Sequence, residues 1–284
     1  MFGSYFSSGE SMPGPQSAQL KPGSPALLGI PLDENSSYLR GAAAAPPRIR
    51  EAFRCDSSNT STESGIELDA ETVFDAGDLA LPSDDRFRAI EAAVGDLLDK
   101  GQKTVSLGGD HSITYPIVRA FGRRFADLTI VHFDAHPDLY DEFQGSRYSH
   151  ACPFARIMEE GCARRLIQVG IRTMNAHQRK QANRFGVDVV EMSALPAFKK
   201  LHLTGPVYVS LDVDVLDPAF APGISHREPG GMSVREAIAH LHAINGEIVG
   251  ADLVEYNPTQ DLSQLTAMVC AKILKEILGK IIAG

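Results

Sequence analysis

Three short stretches hold residues whose types and spacing could do chemistry: His111 after Gly108-Gly109-Asp110; Asp134, His136 and Asp138; and Asp212 with Asp214. Each follows a continuous apolar, β-branched run of the kind that forms a strand buried on both faces of a parallel sheet. The Asp134, His136 and Asp138 triplet occupies alternate positions, so an extended chain would point all three the same way as it leaves the sheet. Carboxylates and imidazoles that converge in a dry place repel or desolvate one another unless a cation lies between them. Four carboxylates and two imidazoles exceed the needs of one ion. Two ions about 3.5–4 Å apart, bridged by shared carboxylates, would use them all. Oxygen-rich ligation with some imidazole and no thiolate suits Mn²⁺, with Ni²⁺, Fe²⁺ or Co²⁺ as alternatives. Such a pair lowers the pKa of a bridging water, so the inferred reaction is hydrolysis. A lone Asp at a strand end is usually a turn or cap, and a lone His a satisfied polar residue. That reading does not explain three clusters at the same place on three strands.

The elements that must position these residues follow from the alternation of strand and helix patterns along the 284 residues. Strands are expected over 26–31, 71–75, 103–107, 128–133, 165–171, 187–191, 206–214 and 247–255. Helices are expected over 46–53, 86–100, 112–124, 175–185, 233–244 and 263–282, with a loop running into a helix over 148–161. Strands alternating with helices imply an α/β fold, a three-layer αβα arrangement with a mainly parallel sheet of about eight strands. An open doubly wound sheet is favoured over a closed barrel. The carboxyl ends of parallel strands open on one side, so the three clusters should meet in one crevice there. No repeat or linker divides the chain. Residues 1–24, rich in Gly, Ser and Pro, are expected to form an N-terminal arm and 25–284 a single domain.

Composition excludes several classes. No stretch has the roughly 20 apolar residues of a membrane span. The net charge of −9 and the absence of a basic patch argue against a nucleic-acid partner. Cys55, Cys152, Cys162 and Cys270 form no CxxC pair. With no basic n-region and apolar h-region at the start, they point to reduced thiols and a cytoplasmic protein.

The segments GGDHS (108–112), DAHPD (134–138) and SLDVDVLDP (210–218) resemble the signature segments of the ureohydrolases, the arginase and agmatinase superfamily, in order and spacing. The similarity runs from about Ala26 to the C-terminus. Tyr148-Ser149-His150-Ala151 and the loop 217–231 resemble the plant-type arginase branch. The resemblance implies that His111, Asp134, Asp138 and Asp212 hold one Mn²⁺. It implies that Asp134, His136, Asp212 and Asp214 hold the other, with Asp134 and Asp212 bridging. It further implies that His150 transfers a proton near the substrate and that Glu255 grips a guanidinium group. With Asp138, these are the residues expected to take part in the chemistry. Read without the family, His150 would be a loop histidine and Glu255 a turn cap. Asp110 could orient a metal ligand or form a turn, and Asp217 suits a turn.

The implied activity is cleavage of a guanidino group to urea and an amine, with L-arginine as substrate. Agmatine or another guanidino compound is the alternative, a formimino-group hydrolase a further one, and a non-enzymatic metal-binding protein the reading from another class. Arg147 and Arg227 are the residues that could meet a substrate carboxylate. The family also implies a homo-oligomer, a trimer or hexamer, with the arm and the C-terminal helix as contact elements.

Overall fold

The computed structural model describes residues 21–197 and 201–284. The first 20 positions of the expected arm lie outside the described residues. The strands are β1 Pro25–Gly29, β2 Phe74–Asp78, β3 Lys103–Leu107, β4 Thr129–Phe133, β5 Arg165–Ile171, β6 Asp188–Glu191, β7 Leu201–Asp212 and β8 Ile244–Val254. The helices are α1 Ala45–Phe53, α2 Arg86–Asp99, α3 Thr114–Arg124, α4 Pro153–Glu159, α5 Ala176–Phe185, α6 Val234–Ala243 and α7 Leu265–Ala283. The strands form one sheet in the order β2-β1-β3-β8-β7-β4-β5-β6, and every pairing is parallel. The edges β2 and β6 do not meet, so the sheet is open, as expected.

Alternation along the strands sorts the core into two layers. Val105 and Leu107, Val131 and Phe133, and Val207, Val209 and Leu211 face the side covered by α1, α6 and α7. Ile130 and Tyr208 face the side covered by α2, α3, α4 and α5. Helix α7 places Ala267, Cys270, Ile273, Leu274, Ile277, Leu278 and Ile281 in the core.

Some boundaries differ from the expected ones, each for a local reason. The strand expected over 71–75 begins three residues later, because Asp69 folds an Asx turn: its Oδ1 accepts from the amides of Glu71 and Thr72, both at 2.9 Å. Strand β7 starts before Pro206, which a register shift between His202 and Pro206 accommodates. Asp214 lies beyond the end of β7, on a 3-10 turn Val213–Val215 capped by the Asp212 carboxylate, which accepts the Asp214 amide at 2.8 Å. Likewise β4 stops at Phe133. The Asp134 carboxylate accepts the His136 amide at 2.6 Å, and Asp138 adopts φ 51°. Asp134, His136 and Asp138 therefore converge through a tight loop rather than by strand alternation.

Candidate metal centre

Four central strands deliver the site, and their register levels it. Leu107 of β3 pairs with Leu253 of β8, Leu253 with Leu211 of β7, and Leu211 with Phe133 of β4. The residues just past these positions, Gly108, Val254, Asp212 and Asp134, thus emerge at one height on adjacent strands. The glycines of the first segment are obligatory there. A Cβ on Gly109 would lie 1.8 Å from the Leu32 carbonyl oxygen, and one on Gly108 would lie 2.6 Å from Val254 Cγ1. The backbone must pass this close to set His111 against the sheet's end.

The structure brings all six expected ligands together. His111 Nδ1 lies 3.2 Å from Asp134 Oδ2, 3.1 Å from Asp138 Oδ2 and 3.1 Å from Asp212 Oδ2. His136 Nδ1 lies 3.0 Å from Asp214 Oδ2 and 3.5 Å from Asp134 Oδ1. Asp134 reaches both groups. His111 and Asp134 are fully buried, and Asp212 and Asp214 are each 3% exposed. His111 Nδ1 makes no hydrogen bond although three carboxylate oxygens surround it. An imidazole nitrogen in that setting is placed as a ligand atom. The charges agree: four buried carboxylates are matched in magnitude by two divalent cations. Burial, then the charges of Asp214 and Asp134, pushes Asp212 well above the usual carboxylate range. Burial and Asp134 push Asp214 to about 6. Burial opposes the charge on His136, but Asp214 and Asp134 pull it up to about 12. These directions follow from several carboxylates crowded together out of water.

Glu255 and His150 sit against the same cluster. Glu255 follows β8 directly at φ 65°, a left-handed backbone that a non-glycine residue holds only where its surroundings force it. Its Oε1 accepts from the His111 amide at 2.9 Å and meets His150 Nδ1 at 2.8 Å. Its Oε2 is buried and has no partner. Burial would raise Glu255, yet His150 holds it below its usual range; reciprocally, burial would lower His150, yet Glu255 raises it to about 9.

Several residues at the site were not foreseen. His132 Nε2 meets Asp134 Oδ2 at 2.7 Å, while Gln168 Nε2 donates to His132 Nδ1 at 3.1 Å. His132 is thereby a neutral imidazole that donates to Asp134 and orients it. Its position mid-strand resembles a core histidine, and no sequence signal separates the two. Arg172 donates to the carbonyls of Asp214 at 2.6 Å and Glu228 at 2.7 Å, stapling the turn that carries Asp214 to the loop 218–231. Ser37 Oγ meets His150 Nε2 at 2.8 Å and His226 Nε2 at 3.4 Å, so the loop after β1 closes over the site. Asp110 holds that loop: its Oδ2 accepts the Asn35 amide at 2.9 Å and its Oδ1 the Ser112 amide at 3.0 Å. It is both a turn former and a support for the site. Asp217 accepts the amides of Ala219, Gly230 and Gly231, as a turn former does. The two arginines considered for a substrate carboxylate are engaged elsewhere. Arg147 pairs with Asp141 at 2.7 Å and Glu159 at 2.9 Å, and Arg227 donates to Pro222 O and Gln260.

A model of the arginase family matches residues 24–279. The chain is 48% identical over 277 residues to "Arginase 1, mitochondrial" of Arabidopsis thaliana, covering 91% of this chain and 81% of that protein. It is 36% identical over 261 residues to an agmatinase of Bacillus anthracis, covering 89% of this chain and 90% of that one. The solved arginase from Medicago truncatula superposes with a TM-score of 0.87 at 44% identity, covering 91% of this chain and 87% of that one. These names overturn the expectation of a cytoplasmic protein, since the plant relatives are called mitochondrial or chloroplastic/mitochondrial. Unpaired cysteines report a reducing compartment and not which one it is. No helix among the described residues is long and apolar enough to cross a membrane.

Proposed function

We propose that this chain, which belongs to the arginase family, hydrolyses L-arginine to L-ornithine and urea at a pair of Mn²⁺ ions. The observation that carries the reading is the convergence of His111, Asp134, Asp138, Asp212, His136 and Asp214 beside the buried, unpartnered Oε2 of Glu255. His111, Asp134, Asp138 and Asp212 would hold one ion, and Asp134, His136, Asp212 and Asp214 the other. When bound, two such ions would supply Lewis acidity and lower the pKa of a water held at the site. The oxygen-rich, thiolate-free donor set supports manganese.

The chain's own residues then do three things. Glu255 binds the guanidinium through Oε2 and so fixes the carbon that is attacked. His150, raised to about 9, carries a proton at neutral pH and delivers it to the departing amine. The loops bearing Ser37 and His226 narrow the entrance and limit water. The products are the amine and urea. Whole-chain similarity favours arginine, at 48% identity to a plant arginase against 36% to an agmatinase. A second reading, agmatine, is favoured by the engagement of Arg147 and Arg227 away from any substrate carboxylate.

The test is urea release by Mn²⁺-loaded protein from arginine, agmatine and 4-guanidinobutyrate. Arginine turnover above the others is expected. Agmatine turnover far above arginine would overturn the substrate assignment, and no urea from any of them would overturn the reaction. We further propose a homo-oligomer, a trimer or hexamer as in the family, which light scattering would establish.

A further inference from the structure

Beneath the candidate metal centre lies a chain of buried polar groups that the proposed reaction does not use. Asp252, two residues before the end of β8, is fully buried, and among the described residues it forms no ion pair. It is held instead by three hydroxyls. Ser210 Oγ donates to its Oδ1 at 2.7 Å, Tyr208 OH to its Oδ2 at 2.7 Å and Thr114 Oγ1 to its Oδ2 at 2.9 Å. Ser210 and Asp252 are register partners on adjacent strands β7 and β8. Ser210, itself fully buried, lies 3.0 Å from His111 Nε2.

Ser210 Oγ donates to Asp252 Oδ1, so the Ser210 proton points at the carboxylate. With that proton spent, Ser210 Oγ can only accept from His111, which places the imidazole proton on Nε2 and leaves the lone pair on Nδ1. Nδ1 is the atom enclosed by Asp134, Asp138 and Asp212. We infer that Asp252, acting through Ser210, is a positioning residue that sets the tautomer and ring orientation of His111 for metal binding. Ordinarily a ligating histidine donates its far N–H to a carboxylate or carbonyl directly. Here a serine hydroxyl is interposed: Ser210 on β7 links His111, which follows β3, to Asp252 on β8, the strand between those two. This inference rests on the assignment of His111 as a metal ligand.

Tyr208 provides the control. Tyr208→Phe removes a hydrogen bond of similar length from the same carboxylate without touching Ser210 or His111. Ser210→Ala removes the link itself, and Ser210→Thr restores a hydroxyl. Each variant is equilibrated with a series of buffered free Mn²⁺ concentrations. Bound Mn²⁺ is measured by elemental analysis, and its spin coupling by electron paramagnetic resonance. The native chain and Tyr208→Phe should bind two ions and show the exchange-coupled spectrum of a pair. Ser210→Ala should bind one of the two about 10- to 100-fold more weakly. At a free Mn²⁺ that saturates the native chain it should then show the spectrum of isolated ions. Ser210→Thr should recover the pair. Asp252→Asn tests the same link from its far end and stands in if Ser210→Ala does not fold. Native affinity for both ions in Ser210→Ala and Asp252→Asn would overturn the inference, as would an equal loss in Tyr208→Phe. Failure of the native chain to bind two ions would instead overturn the metal-centre reading on which it rests.

Discussion

Replacing Glu255 by Gln separates substrate binding from metal binding at a single atom. Glu255 Oε1 accepts from the His111 amide and from His150, and a glutamine carbonyl oxygen placed there keeps both bonds. The amide nitrogen then falls on the position of Oε2, the atom that is buried and without a partner. An acceptor becomes a donor facing a guanidinium that has only donors. Removing one member of a buried, hydrogen-bonded charge pair costs about 2–5 kcal/mol. At about 1.4 kcal/mol per decade this is a loss of roughly 30- to 5000-fold in kcat/KM. The assay is urea release over a range of arginine concentrations, with Mn²⁺ content measured on the same sample. Two ions per chain should remain, because neither metal group contains Glu255. A loss smaller than about 5-fold would refute the guanidinium role. A large loss accompanied by loss of metal would show that Glu255 acts by holding the His111 backbone instead.

Replacing His150 with Ala should lower turnover while leaving metal content unchanged, and unaltered turnover would exclude it as the proton donor. Gly109→Ala would set a Cβ 1.8 Å from the Leu32 carbonyl oxygen and 2.9 Å from the Leu32 nitrogen, both backbone atoms. The β1–β3 ladder must open by about 1.5 Å or more, so we expect a cost of at least about 1–3 kcal/mol, read as a lower melting temperature and weaker Mn²⁺ binding. Chelation should destabilise the fold, since each ion at a free concentration about 100 times its Kd contributes about 2.7 kcal/mol. Restoring Mn²⁺ should raise the melting temperature by upwards of about 5 °C, and an unchanged midpoint would sink the centre as a fold-stabilising element.

The sequence by itself determined which residues would gather and on what scaffold. Buried strands followed by Asp and His are written locally, in apolar runs that stop at ligand-bearing segments, and so the open parallel sheet and the six-residue cluster were legible. Glycines 108 and 109 were legible as a motif, but their causes lie elsewhere in the chain: Val254 at the end of β8 crowds Gly108, and Leu32 in the loop after β1 crowds Gly109. What only the tertiary structure decided is how each group is aimed. Asp134 and Asp138 converge through a loop with a left-handed residue, His132 donates instead of ligating, and Arg147 and Arg227 are spent on surface partners. Asp252 reads in sequence as a lone acid in an apolar strand; only the register of β7 against β8 places it under Ser210 and His111. Periodicity and spacing are properties of neighbours along the chain. The direction of a hydrogen bond depends on which atoms the sheet order brings side by side.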